Sequence, residues 1–278
     1  MAVKENSRGK FSSLLILLQG LLIIIFVVFV EYDEDTLPEA SNQAVIDSKY
    51  PVFQDVHTLV VVGFGLLLLF LKKYGFSGLG YTFLIAGVTM QWAAVMDGFL
   101  NMKNDKIQLG INSLVTGDLA TLTVIITFGA ILGKTSNLQL MVIAFFEVTY
   151  YILNRNICTK YLQAVDYGGG MYIHLFGSCF GLMVTRILYQ TRAVAHENET
   201  SRYTSDLFAA TGTLFLWVYW PSLNAVLLEG TLQYRAIVNT YYALTASCVT
   251  AFGLSSLITK GSKLSMDFPL TEHKLHLQ

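Results

Sequence analysis

Apolar residues fall in long blocks along this chain, and polar connectors separate them. A membrane-crossing helix needs roughly 20 mainly apolar residues, because a 1.5 Å rise per residue must cover about 30 Å of hydrocarbon. Eight blocks meet that measure, at about 11–30, 54–71, 78–97, 112–132, 138–156, 169–189, 207–228 and 236–259. Connectors such as Lys72–Gly80 and Gly133–Asn137 are short and carry turn residues, whereas Glu31–Phe53 and Gln190–Asp206 are longer. The pattern predicts an all-α polytopic membrane protein with about eight transmembrane helices. Composition strengthens it: 54% of the 278 residues are hydrophobic and 13% are charged, with a mean hydropathy of +0.53. Soluble domains carry about 25% charged residues.

The first block follows Lys4, Arg8 and Lys10, as a signal peptide would. Its length exceeds that of a signal-peptide core, and no small-x-small cleavage site precedes the acidic stretch Glu31–Asp35. It reads as a signal anchor that stays in place. With the N-terminus inside, the inner connectors hold Lys4, Arg8, Lys10, Lys72, Lys73, Lys134, Arg186, Arg192, Arg202, Lys260, Lys263 and Lys274. The outer ones hold Lys49, Lys103, Lys106, Arg155, Lys160 and Arg235. That excess selects an N-in, C-in arrangement. The sequon Asn198-Glu199-Thr200 then faces the cytoplasm and is expected to stay unglycosylated.

Charge and cysteine usage remove other classes. A net charge of −1 offers no basic face for nucleic acid. Cys158, Cys179 and Cys248 are far apart and form no CxxC pair, so neither a disulfide framework nor a metal site is expected. No cofactor is implied. GxSxG, HExxH and phosphate-binding glycine loops are absent from the sequence, which argues against an enzyme.

The informative residues are ionisable groups inside apolar blocks, each costing at least about 2.5 kcal/mol at the bilayer centre unless paired or hydrated. Asp118, Glu147 and His174 are so placed, and Asp166 lies eight residues before His174. A lone histidine on a helix is ordinarily a packing residue. His174 gains weight from its setting, Tyr167-Gly168-Gly169-Gly170-Met171-Tyr172-Ile173-His174-Leu175-Phe176-Gly177. Three glycines at a helix entrance permit close approach, and Asp166 can accept hydrogen bonds from the orphan N–H groups there. A neutral imidazole in an apolar lumen can make one hydrogen bond without carrying charge, which suits a small polar neutral molecule.

Several longer strings carry a resemblance. They are Tyr50-Pro51-Val52-Phe53-Gln54-Asp55-Val56-His57, Gln91-Trp92-Ala93, Leu132-Gly133-Lys134, Asp166 with Ile173-His174-Leu175-Phe176-Gly177, and Gly212-Thr213-Leu214-Phe215-Leu216-Trp217-Val218-Tyr219-Trp220-Pro221-Ser222, with Asn239-Thr240-Tyr241-Tyr242-Ala243. Over nearly its whole length the chain resembles the Rhesus (Rh) branch of the ammonium-transporter superfamily. Met96-Asp97-Gly98-Phe99-Leu100, Glu147-Val148-Thr149 and Asn239-Thr240-Tyr241-Tyr242-Ala243 resemble the erythrocyte Rh blood-group polypeptides more than the Rh glycoproteins of epithelia.

The resemblance implies a plasma-membrane trimer, homomeric or with other Rh-family subunits, in which each subunit has its own narrow apolar pore. Two histidines line that pore and two phenylalanines close its outer mouth. The substrate class is ammonia or ammonium, with carbon dioxide also proposed for the family. By this likeness His174 matches the first pore histidine and Asp166 the aspartate before it. The gate phenylalanines fall on Leu119 and Leu223, which lack an aromatic face for cation–π attraction. A glutamate of conducting members falls on Arg155.

Residues 1–266 are expected to form a partial membrane domain with eight of the family's about twelve spans, arranged as part of an inverted repeat. Residues 267–278 form an unmatched cytoplasmic tail. The change near Met266 looks like an alternatively spliced or truncated product. The expected activity is ammonia passage through a histidine-lined pore. The alternative is a non-conducting structural or blood-group-like subunit that assembles with other Rh proteins, and the isolated chain is expected not to conduct.

Overall fold

The computed structural model describes residues 9–37, 43–189, 198 and 200–258. Glu199 of the sequon, the basic residues Lys4, Arg8, Arg192, Lys260, Lys263 and Lys274, and the tail 267–278 lie outside the described residues.

Eight helical rods make up the described chain. They are α1 (Lys10–Phe29), a composite α2, α3 (Gly75–Leu100), α4 (Ile111–Ile131), α5 (Asn137–Lys160), a composite α6, α7 (Tyr203–Ala225) and α8 (Gly230–Ile258). The rod α2 runs as Gln43–Thr58, a π-helical stretch Leu59–Gly63, Phe64–Leu67 and a 3-10 turn Leu68–Phe70. The rod α6 opens with a π-helical stretch Gly170–Leu175 and continues as Phe176–Ile187. Each of the eight apolar blocks therefore lies within or along one rod. Five stretches are long and apolar enough to cross a membrane by length and composition: Lys10–Phe29, Ser48–Phe70, Gly75–Leu100, Ile111–Ile131 and Gly230–Ile258. The chain is a multi-pass, predominantly helical membrane protein.

The expectation of helices alone misses one small feature. The segments β1 (Val30–Tyr32) and β2 (Ile107–Leu109) pair in parallel, with Val30 opposite Ile107 and Tyr32 opposite Leu109. Three-residue strands lie below any periodicity signal.

Connectors gather at two opposite ends. At one end are the β1–β2 pair, the 2.7 Å hydrogen bond from Lys160 to Asn101 and the 2.8 Å ion pair of Lys49 with Glu229. At the other, the Lys72 amide donates to the Thr200 carbonyl at 3.1 Å, and the Tyr74 ring crowds Gly133. Gly133 closes α4 with φ +77, a left-handed conformation that favours glycine at a helix C-terminus. Ser136 then starts α5 with a reciprocal cap: its Oγ accepts from the Gln139 amide, and Gln139 Oε1 accepts from the Ser136 amide.

The middle of the bundle is α4. In its apolar stretch 78% of residues are buried, against 6% in α1 and in α8. Val56, Leu59, Ile85, Leu122, Ile125, Phe128, Ala144 and Val148 fill the space between α2, α3, α4 and α5. Glycine sets the closest crossings, because no hydrophobic effect drives helices together in lipid and small residues let backbones touch. A Cβ at Gly212 of α7 would lie 2.3 Å from the Leu67 nitrogen and 2.6 Å from the Gly63 oxygen. In α6, a Cβ at Gly177 would meet the Thr123 carbonyl at 2.8 Å, and one at Gly181 would meet Thr127 Cα at 3.1 Å.

Candidate functional site

The segment Asp166–Gly177 is built around its helix entrance. Gly169 takes φ +71, which turns the chain into α6, and a Cβ on Gly168 would press on Asn224 Oδ1 at 2.9 Å. Asp166 Oδ1 accepts from the Gly170 amide at 2.9 Å, and its Oδ2 accepts from the Met171 and Tyr172 amides at 2.7 and 3.0 Å. One carboxylate thus satisfies three donors that a helix start leaves unpaired. The Tyr172 hydroxyl donates to the Ala164 carbonyl at 2.8 Å, which holds the connector against the same turn.

His174 follows one turn later, inside the π-helical stretch. Such stretches are rare and recur at functional sites. The amides of both Ile173 and His174 donate to the Gly169 carbonyl at 3.0 Å. The imidazole stacks on the Trp220 indole of α7, with centroids 5.5 Å apart and planes at 22°. His174 Nε2 is buried and has no hydrogen-bond partner among the described residues. A neutral ring held flat against an indole, with one nitrogen free in an apolar setting, can take a single hydrogen bond from or give one to a small molecule.

Leu119 and Leu223 are 3% and 1% exposed, in the same apolar cluster as Tyr172 and Ile173. They sit at the two places where the resemblance puts an aromatic gate, and there they present packed aliphatic carbon. Arg155 reaches the buried Thr116 hydroxyl at 3.4 Å.

The two buried acids lie in separate settings. Asp118 is 0% exposed; its Oδ1 is 2.9 Å from His57 Nδ1, and its Oδ2 has no partner among the described residues. His57 comes from α2 immediately before the π-helical stretch, with its ring stacked on Phe53 at 5.6 Å. Two residues earlier on α2, Asp55 Oδ2 accepts from the Ser222 hydroxyl of α7 at 2.6 Å. Glu147, also 0% exposed, lies 2.6 Å by Oε1 from the Thr127 hydroxyl, which is 3.0 Å from the Gly177 carbonyl. No hydrogen bond joins Asp166, Asp118 or Glu147 to the His174 ring among the described residues.

His57, Thr127 and Trp220 are the residues that sequence reasoning passes over. His57 and Trp220 stand within the recognised strings, but without roles. The cost of a buried carboxylate was the available signal for His57, since Asp118 demands a partner. Nothing in the sequence singles out Thr127 among the threonines of its helix.

Other strings turn out to be interhelical contacts. In Gln91-Trp92-Ala93, Gln91 exchanges amide hydrogen bonds with Gln19 of α1 at 2.9 and 3.2 Å. Trp92 Nε1 donates to Thr149 of α5 at 2.9 Å, and Ala93 is fully buried.

Known proteins are similar to this chain in sequence and in fold. The sequence profile of the Ammonium Transporter Family matches residues 14–268. Ammonium transporter Rh type B of Danio rerio is 45% identical over 279 residues, covering 96% of this chain and 60% of that protein. Ammonium transporter Rh type A of Bos taurus is 43% identical, covering 93% and 63%, and Ammonium transporter Rh type C of Homo sapiens is 43% identical, covering 96% and 58%. The chain therefore spans about 60% of the length of these relatives. Among solved structures, Nitrosomonas europaea Rh50, described in terms of conduction by the Rhesus protein family of channels, superposes with a TM-score of 0.73. It is 28% identical, with 81% of this chain and 60% of that one covered.

Proposed function

The chain belongs to the Ammonium Transporter Family, and from that premise we propose that it forms the His174-bearing wall of a pathway for ammonia. One observation carries the reading: His174 Nε2 is buried and has no partner among the described residues, on a ring fixed by Trp220 and by the capped entrance at Asp166. At His174 the site offers one hydrogen bond in an apolar wall, which favours a small neutral molecule over its cation. Ammonium would lose its proton to solvent water before reaching His174. The setting we propose is the plasma membrane, N-in and C-in, within a trimer of like or related Rh subunits. Residues 1–266 would act as the membrane domain and 267–278 as a cytoplasmic tail.

Leu119 and Leu223 favour a second reading, a non-conducting subunit, since neither offers an aromatic face where a cation would first be drawn. Stopped-flow pH measurements separate the two. The chain is reconstituted in proteoliposomes, alone and together with a full-length Rh type B relative. Ammonia uptake above the level of vesicles lacking this chain, lost in His174→Leu, is the expected result in at least one of the two preparations. Equal uptake by wild type and His174→Leu in both would overturn the pathway and leave the structural subunit.

A further inference from the structure

The contact between Glu147 and Thr127 has a hydrogen too few if the acid is ionised. Thr127 is 1% exposed, and its hydroxyl lies between two acceptors, Glu147 Oε1 at 2.6 Å and the Gly177 carbonyl at 3.0 Å. A hydroxyl carries one hydrogen and can donate to only one of them. With Glu147 ionised, the single hydroxyl hydrogen would either leave the buried charge unpaired or leave the Gly177 carbonyl with its own helix's amide as sole donor. With its proton in place, Glu147 donates through Oε1 to Thr127 Oγ1, and Thr127 donates onward to Gly177. Every contact then has a hydrogen.

The neighbouring threonines of α4 make the arrangement conspicuous. Thr121 and Thr123 each turn their hydroxyl back to the carbonyl four residues earlier, Gly117 and Leu119, at 2.8 and 3.1 Å. That is the ordinary behaviour of a threonine inside a helix. Thr127 instead reaches across to α5 and α6 together. Its target, Gly177, is the residue whose absent side chain lets α6 lie directly on α4, three residues beyond His174.

We propose that Glu147 is a positioning residue for His174, acting as a neutral carboxylic acid through Thr127 on the Gly177 carbonyl. The chain of two hydrogen bonds fixes the rotation and depth of α6 against α4. It thereby sets the stack of His174 on Trp220. The inference rests on the reading of His174 as the pathway histidine, but it is tested without any transport measurement.

The test follows tryptophan emission of the full chain in detergent micelles, with Trp220→Phe defining the Trp220 share. The readout is the part of that share that changes on His174→Leu. Glu147→Gln keeps a neutral donor and is expected to preserve this His174-dependent part. Glu147→Ala and Thr127→Val are expected to lose it, and Thr127→Ser to restore it. An infrared band of a protonated carboxyl that disappears in Glu147→Gln is the second expected result. If Glu147→Gln behaves like Glu147→Ala, or the band is absent, the acid acts by charge and the proposal fails. If Thr127→Val and Glu147→Ala keep the wild-type emission, the contact holds the bundle together without placing His174, and the proposal fails equally. Should Glu147→Ala not fold, Glu147→Gln and Thr127→Val still decide.

Discussion

Asp118 and Glu147 meet the same physical problem with different partners. Each is a carboxyl with no exposed surface, and each has one oxygen bonded and one without a partner among the described residues. Asp118 takes an imidazole from a helix 61 residues away, whereas Glu147 takes a hydroxyl 20 residues away. Removing the imidazole alone should therefore be worse than removing both groups. His57→Leu is expected to cost about 3 kcal/mol of unfolding free energy, the low end for a broken buried pair because His57 is itself half-exposed. Adding Asp118→Leu should recover most of that loss, and denaturant titration of the two single variants and the double variant measures the coupling. If the double variant is the sum of its parts, the contact contributes nothing of its own. The need for a partner was legible in the sequence, because charge inside an apolar block is costly. Which partner was not, since it depends on how α2 and α4 are rotated against each other.

At the scale of elements, the helices were readable and their irregularities were not. Twenty apolar residues announce a membrane rod, but the extra residue of a π-helical turn leaves the apolar pattern almost unchanged. The stretches Leu59–Gly63 and Gly170–Leu175 both went unseen for that reason. The first of them makes a close crossing, where Gly212 of α7 rests on the backbone of Gly63 and Leu67. A methyl group there has only backbone to push against. Gly212→Ala should therefore destabilise by about 1–3 kcal/mol, as overpacking does. Gly253→Ala on α8, where a Cβ meets nothing within 4 Å, serves as the contrasting case. There the loss of backbone freedom in the unfolded chain should make alanine neutral or stabilising by up to about 1 kcal/mol. Thermal unfolding in one detergent compares them, and equal shifts would mean that the crossing has room to spare.

For the molecule as a whole, the ends of the bundle hold more than the sequence suggested. Positive charges in the sequence predict a sidedness for the connectors, yet the contacts that tie those connectors together pair residues far apart in the chain. Lys49 and Glu229 join the start of α2 to the turn between α7 and α8 at 2.8 Å. Its hydrogen bond with the Lys49 ammonium holds the Glu229 carboxyl below its ordinary range. A carboxyl depressed in the folded state contributes its stability above its unfolded pKa and loses it as pH falls through the folded one. The advantage of wild type over Glu229→Gln should therefore be small near neutral pH, shrink with added salt and vanish below the carboxylate range. Melting curves of both proteins across acidic pH check this, and an advantage that grows on acidification would contradict it. The paired strands Val30–Tyr32 and Ile107–Leu109 act at the same end, where Asp33 packs so tightly on Gly110 that a Cβ would lie 1.6 Å from its carboxylate. A ribosome releases Val30 long before Ile107, with the whole of α2 and α3 between them. The far end of α1 can therefore rest on Phe99 of α3 first, and it gains its strand partner only as α4 is about to be made.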